Sequence, residues 1–300
     1  MINPILRNEM KTDSRQFRFY MLLMLYIGLL GIPVLISYRA ICNQYRIEAS
    51  QFITLYVLLA CIQAIILMFI VPALAAGSIS GEREKQTLDI LLTTKMSCRS
   101  IIYGKILTVT SKVVLLIFCT MPVYAIMLFL GGIKLIHIIT CNLYLVMTTI
   151  FVASMCTWIS TMVKTTKFAN VAAYFVELGL IIGYPIAVLV GFALKSAVTP
   201  YNTNANMKFI ENLIKYLLPI SPAAGYGFLL SDQLHISDGI FDIIGSSHTK
   251  MLVPGWGISI IVEVVLTIIF VELAISSLNP LKKRKYSKKK RKANRQVENA

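Results

Sequence analysis

Charge is what this sequence has least of: 14% of its 300 residues are Asp, Glu, Lys or Arg, where soluble domains carry about 25%. Acidic residues are the scarcer kind, 14 against 29 basic. The three histidines (His137, His235, His248) lie far apart and form no H-E-x-x-H, which removes the common zinc-hydrolase pattern. The six cysteines contain no C-x-x-C and fall mostly inside apolar runs, so they fill a membrane-embedded core rather than build a disulfide or metal framework. A phosphate-binding loop is missing too, because the nearest Gly-Lys pair, Gly104-Lys105, is followed by Ile106 and lacks the upstream glycine. Neither a G-x-S-x-G elbow nor the ten-residue alternating segments of a membrane barrel occur. The sequence therefore offers no recognisable motif for catalysis, for a metal or for a cofactor. If ATP drives anything here, another chain hydrolyses it.

What fills the chain instead is hydrocarbon. Apolar residues make up 57% and mean hydropathy is +0.73. Crossing a membrane takes roughly 20 apolar residues in a helix, and six runs qualify: Phe17–Ser37, Phe52–Ala76, Ile106–Leu130, Leu135–Val163, Phe168–Leu194 and Trp256–Ser276. Lipid cannot satisfy backbone groups, so such runs must be helical. The expected fold is an all-α polytopic membrane protein of six transmembrane helices.

Lys and Arg set the orientation. With both ends inside, 21 of them fall on inner segments and seven on outer ones, which assigns N-in and C-in topology. The first run is too long for a signal-peptide core and has no small-x-small cleavage site after it. Residues 1–16 read as an interfacial amphipathic helix, with Asn3 as cap, Pro4 at the first helical position, and Ile5, Leu6 and Met10 opposite Arg7, Lys11 and Arg15. The six spans occupy 17–278. Residues 279–300 form a basic, disordered tail that meets anionic lipid rather than nucleic acid, since its Lys282–Arg295 run directly follows the last span.

One charged island interrupts the apolar sequence. The inner loop 78–105 holds Gly81-Glu82-Arg83-Glu84-Lys85-Gln86-Thr87-Leu88-Asp89-Ile90-Leu91-Leu92. Glu82 and Glu84 are expected in the first turn of a helix, where acids suit the dipole. Leu88, Leu91 and Leu92 share a face at i, i+3, i+4, and Ser97 caps a second helix that runs into the third span. A plain hairpin needs neither this length nor a leucine face, so the element is expected to dock on a partner.

The outer loop 195–253 contains Phe209–Leu230, a poor span broken by Lys215, Pro219 and Pro222 and so expected to be re-entrant or interfacial. Tyr201, Tyr216 and Tyr226 suit headgroup depth. Within the spans, Glu177 and Glu263 are costly in lipid and either hold helices together or line a polar pathway. Lys112 and Glu272 reach the inner interface. Gly179-x-x-x-Gly183 permits close helix approach, within the chain or between two copies.

The string Ala76-Gly77-Ser78-Ile79-Ser80-Gly81-Glu82-Arg83-Glu84-Lys85-Gln86-Thr87-Leu88-Asp89-Ile90-Leu91-Leu92, followed by Ser97 and Gly104-Lys105, resembles the inner loop of type 2 ATP-binding-cassette exporter permeases. The opening Asn3-Pro4-Ile5-Leu6-Arg7-Asn8-Glu9 is similar to their leading amphipathic helix. The specific motif covers about residues 76–105. The resemblance implies a permease subunit of an ATP-driven exporter in the cell membrane, that of a bacterium. It would pair with a second permease copy or a related permease and with separate ATPase subunits that hold the ATP and magnesium. It further implies that Glu82, Arg83, Glu84, Lys85, Thr87, Leu88, Leu91 and Leu92 form the ATPase-coupling surface, and it names no cargo. Two alternatives stay open: a membrane-embedded enzyme using Glu177, Glu263 or His137, and a non-transporting immunity or receptor component.

Overall fold

The computed structural model describes residues 17–42, 49–93, 97–130, 133–183, 186, 189–190, 193, 221–234 and 255–278. The expected surface helix before residue 17, the basic tail, and Tyr201 and Tyr216 with most of the outer loop lie outside these residues. Every described element is a helix, and six helices are long and apolar enough to cross a membrane. The six expected spans are all present.

In chain order the elements are α1 (Phe17–Cys42), α2 (Ala49–Ala75), α3 (Gly77–Glu84), α4 (Leu88–Thr93), α5 (Cys98–Leu130), α6 (Leu135–Met162), α7 (Thr166–Leu178) with a π-helical extension at Gly179–Gly183, α8 (Pro222–Leu234) and α9 (Gly255–Leu278). The fourth span is the hub. α6 packs against α2, α3, α5, α7, α8 and α9, and 44% of its apolar window is buried against 17% for α1. Its composition explains the position. Ala153, Ser154, Cys156, Thr157 and Ser160 are all buried, and such small side chains let neighbouring backbones approach where no hydrophobic effect drives helices together in lipid. The outermost span, α1, touches α2 and α5 through Tyr26, Leu30 and Val34, which lie at i, i+4, i+8 on one face.

Polar side chains tie the half of the bundle remote from α3. Gln63 of α2 donates to Asn142 of α6 at 3.1 Å and accepts from Tyr124 of α5. Tyr56 donates to Gln233 of α8 at 3.0 Å, and Gln233 donates in turn to Thr140 of α6 at 2.8 Å. Tyr226 is turned into the bundle. It is buried, donates to the Ala60 carbonyl at 3.2 Å and contacts Cys141 Sγ at 2.9 Å. The cause is its place on α8, a helix of 13 residues that spans only about 20 Å and packs inward on α6 and α9. Pro222, expected to break the element, opens it instead, at the first helical position where its missing N–H costs nothing. The rest of the expected re-entrant stretch precedes residue 221 and is not described.

Two further expectations meet different outcomes. Ser97 does cap α5, its Oγ accepting the Ser100 N–H at 3.2 Å. Gly179-x-x-x-Gly183 is not an intrachain seam against the described residues. A Cβ at either glycine would touch nothing within 4 Å, and both are exposed on the π-helical extension. Close approach falls on Gly225 of α8, where a Cβ would lie 2.5 Å from the Ser259 Cβ of α9 and would also collide with the Tyr144 hydroxyl.

Candidate functional site

The charged island lies at the end of the bundle where α2 gives way to α3. The chain turns at Ala76, whose N–H donates to the Pro72 carbonyl at 2.8 Å, and helix resumes at Gly77. A new helix exposes unsatisfied amides, and Ala76 has no side chain to cap them. Ser160 of α6 does so from 80 residues away: its Oγ accepts the N–H groups of Ile79 at 3.1 Å and Ser80 at 2.9 Å. α3 is therefore seated on α6 from its first turn.

Glu82 and Glu84 occupy the last turn of α3, not the first turn of a helix as expected. Helix runs on from the second span and stops at Gln86, which takes a left-handed φ of 59°. The Thr87 N–H donates to the Glu82 carbonyl at 2.9 Å and the Gln86 N–H to the Arg83 carbonyl at 3.1 Å, a Schellman C-cap in which glutamine stands where glycine is usual. Two carboxylates at a helix C-terminus oppose its dipole, and each is met by a group from elsewhere. Glu82 pairs with Lys105 of α5 at 3.2 Å and accepts from the Thr87 hydroxyl at 2.5 Å. Glu84 accepts from the Thr166 hydroxyl at 2.6 Å and its N–H at 3.3 Å. That places a negative charge on the first turn of α7, whose own N-cap Thr165 makes no side-chain cap bond.

Arg83 completes the arrangement at the opposite kind of helix end. Its Nη1 donates to the Val163 carbonyl at 2.8 Å and its Nη2 to the Thr161 carbonyl at 3.0 Å. These carbonyls lie at the C-terminus of α6, where a cation is favoured. Three consecutive charges on one eight-residue helix thus fasten the start of α5, the end of α6 and the start of α7.

α4 follows. Leu88 is buried, and Leu92 is half-buried against the core, so these two share a face as their spacing requires, but the face turns toward the protein's own interior. The side chain of Leu91 lies outside the described residues. Ile90 is 66% exposed, and Glu84, Lys85, Gln86, Asp89 and Thr93 of the same segment are exposed as well.

The two intramembrane glutamates have separate fates. Glu263 of α9 is buried and accepts from the Tyr144 hydroxyl and the Thr148 hydroxyl of α6, both at 3.3 Å, so it is a contact between two spans. Glu177 of α7 is also buried, yet neither carboxylate oxygen has a hydrogen-bond partner among the described residues. It lines a cavity of about 200 Å³ between α2, α6, α7 and α8. Tyr144 and Thr148 face both features, binding Glu263 and lining that cavity. His137 joins neither, since roughly 10 Å of helix separates it from Tyr144. Glu272 pairs loosely with Arg99 at 3.8 Å, both side chains exposed.

The interspan amides Gln63 and Asn142 were passed over in the sequence, although each is the lone amide side chain of its apolar run. An uncharged polar group in lipid also demands a partner, and weighing amides with the charges would have found them. A family model described as ABC-2 family transporter protein matches residues 3–281. Comparison with curated proteins gives no match. With nearly the whole sequence inside the family match and six helices of membrane-spanning length beneath it, the chain belongs to the ABC-2 family of transporter proteins, the permease components of ABC transporters.

Proposed function

We propose that this permease works as an exporter with both termini in the cytosol, coupled to a separate ATPase through α3 and α4 and paired with a second permease across a shared pathway. What carries the coupling assignment is the division of labour around the charged island. Glu82, Arg83 and Leu88 are consumed inside the chain, while Ile90 stands exposed among Lys85, Gln86 and Asp89. A large exposed apolar side chain in a polar segment, on the short helix that follows the one fastened to several spans, suits a docking knob. The contact surface is accordingly Ile90 with Lys85, Asp89 and the exposed edge of Glu84. Arg83 and Glu82 pass its displacement to the spans rather than touching the ATPase. Such a contact drives transport only if the ATPase binds two permease arrangements with different affinity. The excess of Lys and Arg on the segments at this end supports a cytosolic position for it.

The test compares Ile90→Asp with Leu88→Asp. The permease is affinity-purified from native membranes, with the recovered ABC ATPase counted by mass spectrometry and ATP hydrolysis. Ile90→Asp should lower ATPase recovery at least tenfold at unchanged permease yield, and Leu88→Asp should lower the yield itself. Full ATPase recovery with Ile90→Asp would refute the docking assignment.

A further inference from the structure

We propose that the cavity beside Glu177 binds a small hydrophobic amine, its ammonium group on the Glu177 carboxylate and its hydrocarbon against the walls formed by Met68, Val71 and Val152. This rests on the transporter reading and gives it a cargo class.

The cavity measures about 200 Å³. An apolar cavity of about 150 Å³ accommodates benzene, so this one has room for a ring and a short charged arm. Most of its wall is hydrocarbon, and among the described residues no Lys, Arg or His lines it. The hydroxyls present are already committed: Thr149 donates to the Leu145 carbonyl at 2.7 Å, Thr148 to the Tyr144 carbonyl at 3.1 Å and to Glu263, and Tyr144 to the Pro222 carbonyl at 3.1 Å and to Glu263. None of them serves Glu177, whose two oxygens have no partner among the described residues although only 3% of the residue is exposed.

A carboxylate withdrawn from water needs a counter-charge or a proton, and the walls supply no counter-charge. A proton or a cationic occupant must therefore neutralise it, and an occupant that displaces the proton supplies the charge itself. A hard cation such as calcium would demand a shell of six or more oxygens, which these walls do not offer, and no group of three or more His, Cys, Asp or Glu that could hold a metal ion occurs among the described residues. An organic ammonium needs one carboxylate and an apolar surface, the usual make-up of a small-molecule pocket. The rim favours the same class. Cys61 and Ile65 line the cavity and are exposed on the outer face of α2, so the mouth opens where a bilayer-dissolved molecule can reach it.

The experiment measures binding of radiolabelled phenethylamine to the full-length permease in lipid nanodiscs, with ethylbenzene and sodium chloride as competitors. Binding should be saturable, at least tenfold weaker in Glu177→Gln, and unchanged in Glu263→Gln. Ethylbenzene and sodium should fail to compete. Equal binding by wild type and Glu177→Gln, or competition by ethylbenzene, would overturn charge recognition and leave a purely apolar pocket. Competition by millimolar sodium would overturn the organic ligand in favour of an inorganic one. ATPase recovery with Glu177→Gln is measured alongside. It should match wild type, so a failed amine site with intact recovery leaves the coupling proposal standing, whereas saturable amine binding by wild type together with full ATPase recovery from Ile90→Asp overturns the coupling proposal and leaves the amine site.

Discussion

Arg83 is the place to press hardest, because one guanidinium holds the end of the hub helix. Replacing it with methionine keeps an unbranched apolar stem and removes both bonds to the carbonyls of Val163 and Thr161. A hydrogen bond from a charged donor contributes about 1.5–3 kcal/mol when buried. Arg83 is only half-buried, so about 1 kcal/mol per bond is the fitting figure. Loss of a cation at a helix C-terminus adds about 0.5 kcal/mol. Arg83→Met should therefore destabilise by about 2–3 kcal/mol. Arg83→Lys retains the charge but not the planar fork that reaches two carbonyls at once, and should lose about 1 kcal/mol. Equilibrium unfolding in mixed detergent–lipid micelles, titrated with a denaturing detergent, reads both values. A methionine variant within 0.5 kcal/mol of wild type, or a lysine variant equal to it, would refute the fork as the fastening. If α3 is the lever, Arg83→Met should also reduce ATP-driven transport while ATPase recovery stays normal, because the docking knob is elsewhere.

Two other perturbations test the packing of α8 and the role of Glu263. Gly225→Ala puts a methyl carbon 2.5 Å from the Ser259 Cβ, which no side-chain rotation relieves. α8 must move by about 1 Å, and overpacking of this kind costs about 1–3 kcal/mol, measured in the same unfolding assay. Wild-type stability in that variant would show that α8 does not press on α9. Glu263→Gln keeps an acceptor oxygen for Tyr144 and Thr148, so stability should change by less than about 1 kcal/mol and transport should persist. Abolished transport at full stability would return Glu263 to the pathway.

The spans were legible because lipid imposes one rule, an unbroken apolar helix, and the sequence states it six times. Ser97 was legible because a cap is a local contact three residues long. The phase of the charged island was not. Helix continues past the apolar run to Glu84 and stops at Gln86, and glutamine carries no left-handed signal of the kind glycine or asparagine carries. The leucine face was legible as a face, but periodicity cannot say whether a face meets a partner or the protein's own core, and Leu88 meets the core. Glu177 and Glu263 look alike in sequence, each a lone acid in hydrocarbon. What separates them is the position of two hydroxyls on α6, which only the packed bundle decides.

Those hydroxyls also connect the charged junction to the cavity. α3 is bonded to α6 at both ends, through Ser160 at its start and Arg83 at its finish, so it cannot tilt without loading α6. That helix carries Tyr144 and Thr148 into the wall beside Glu177 and packs on every other span but α1 among the pairs in extensive contact. The same α3 holds the first turn of α7 through Glu84, and Glu177 sits on α7 eleven residues further on, about 16 Å along the axis. A displacement of α3 therefore reaches the cavity by two walls at once, and the bonds of Arg83 and Glu84 are among those that carry it. Cutting one bond should desynchronise the two walls, which is why Arg83→Met is expected to uncouple transport from ATP hydrolysis rather than merely weaken the fold.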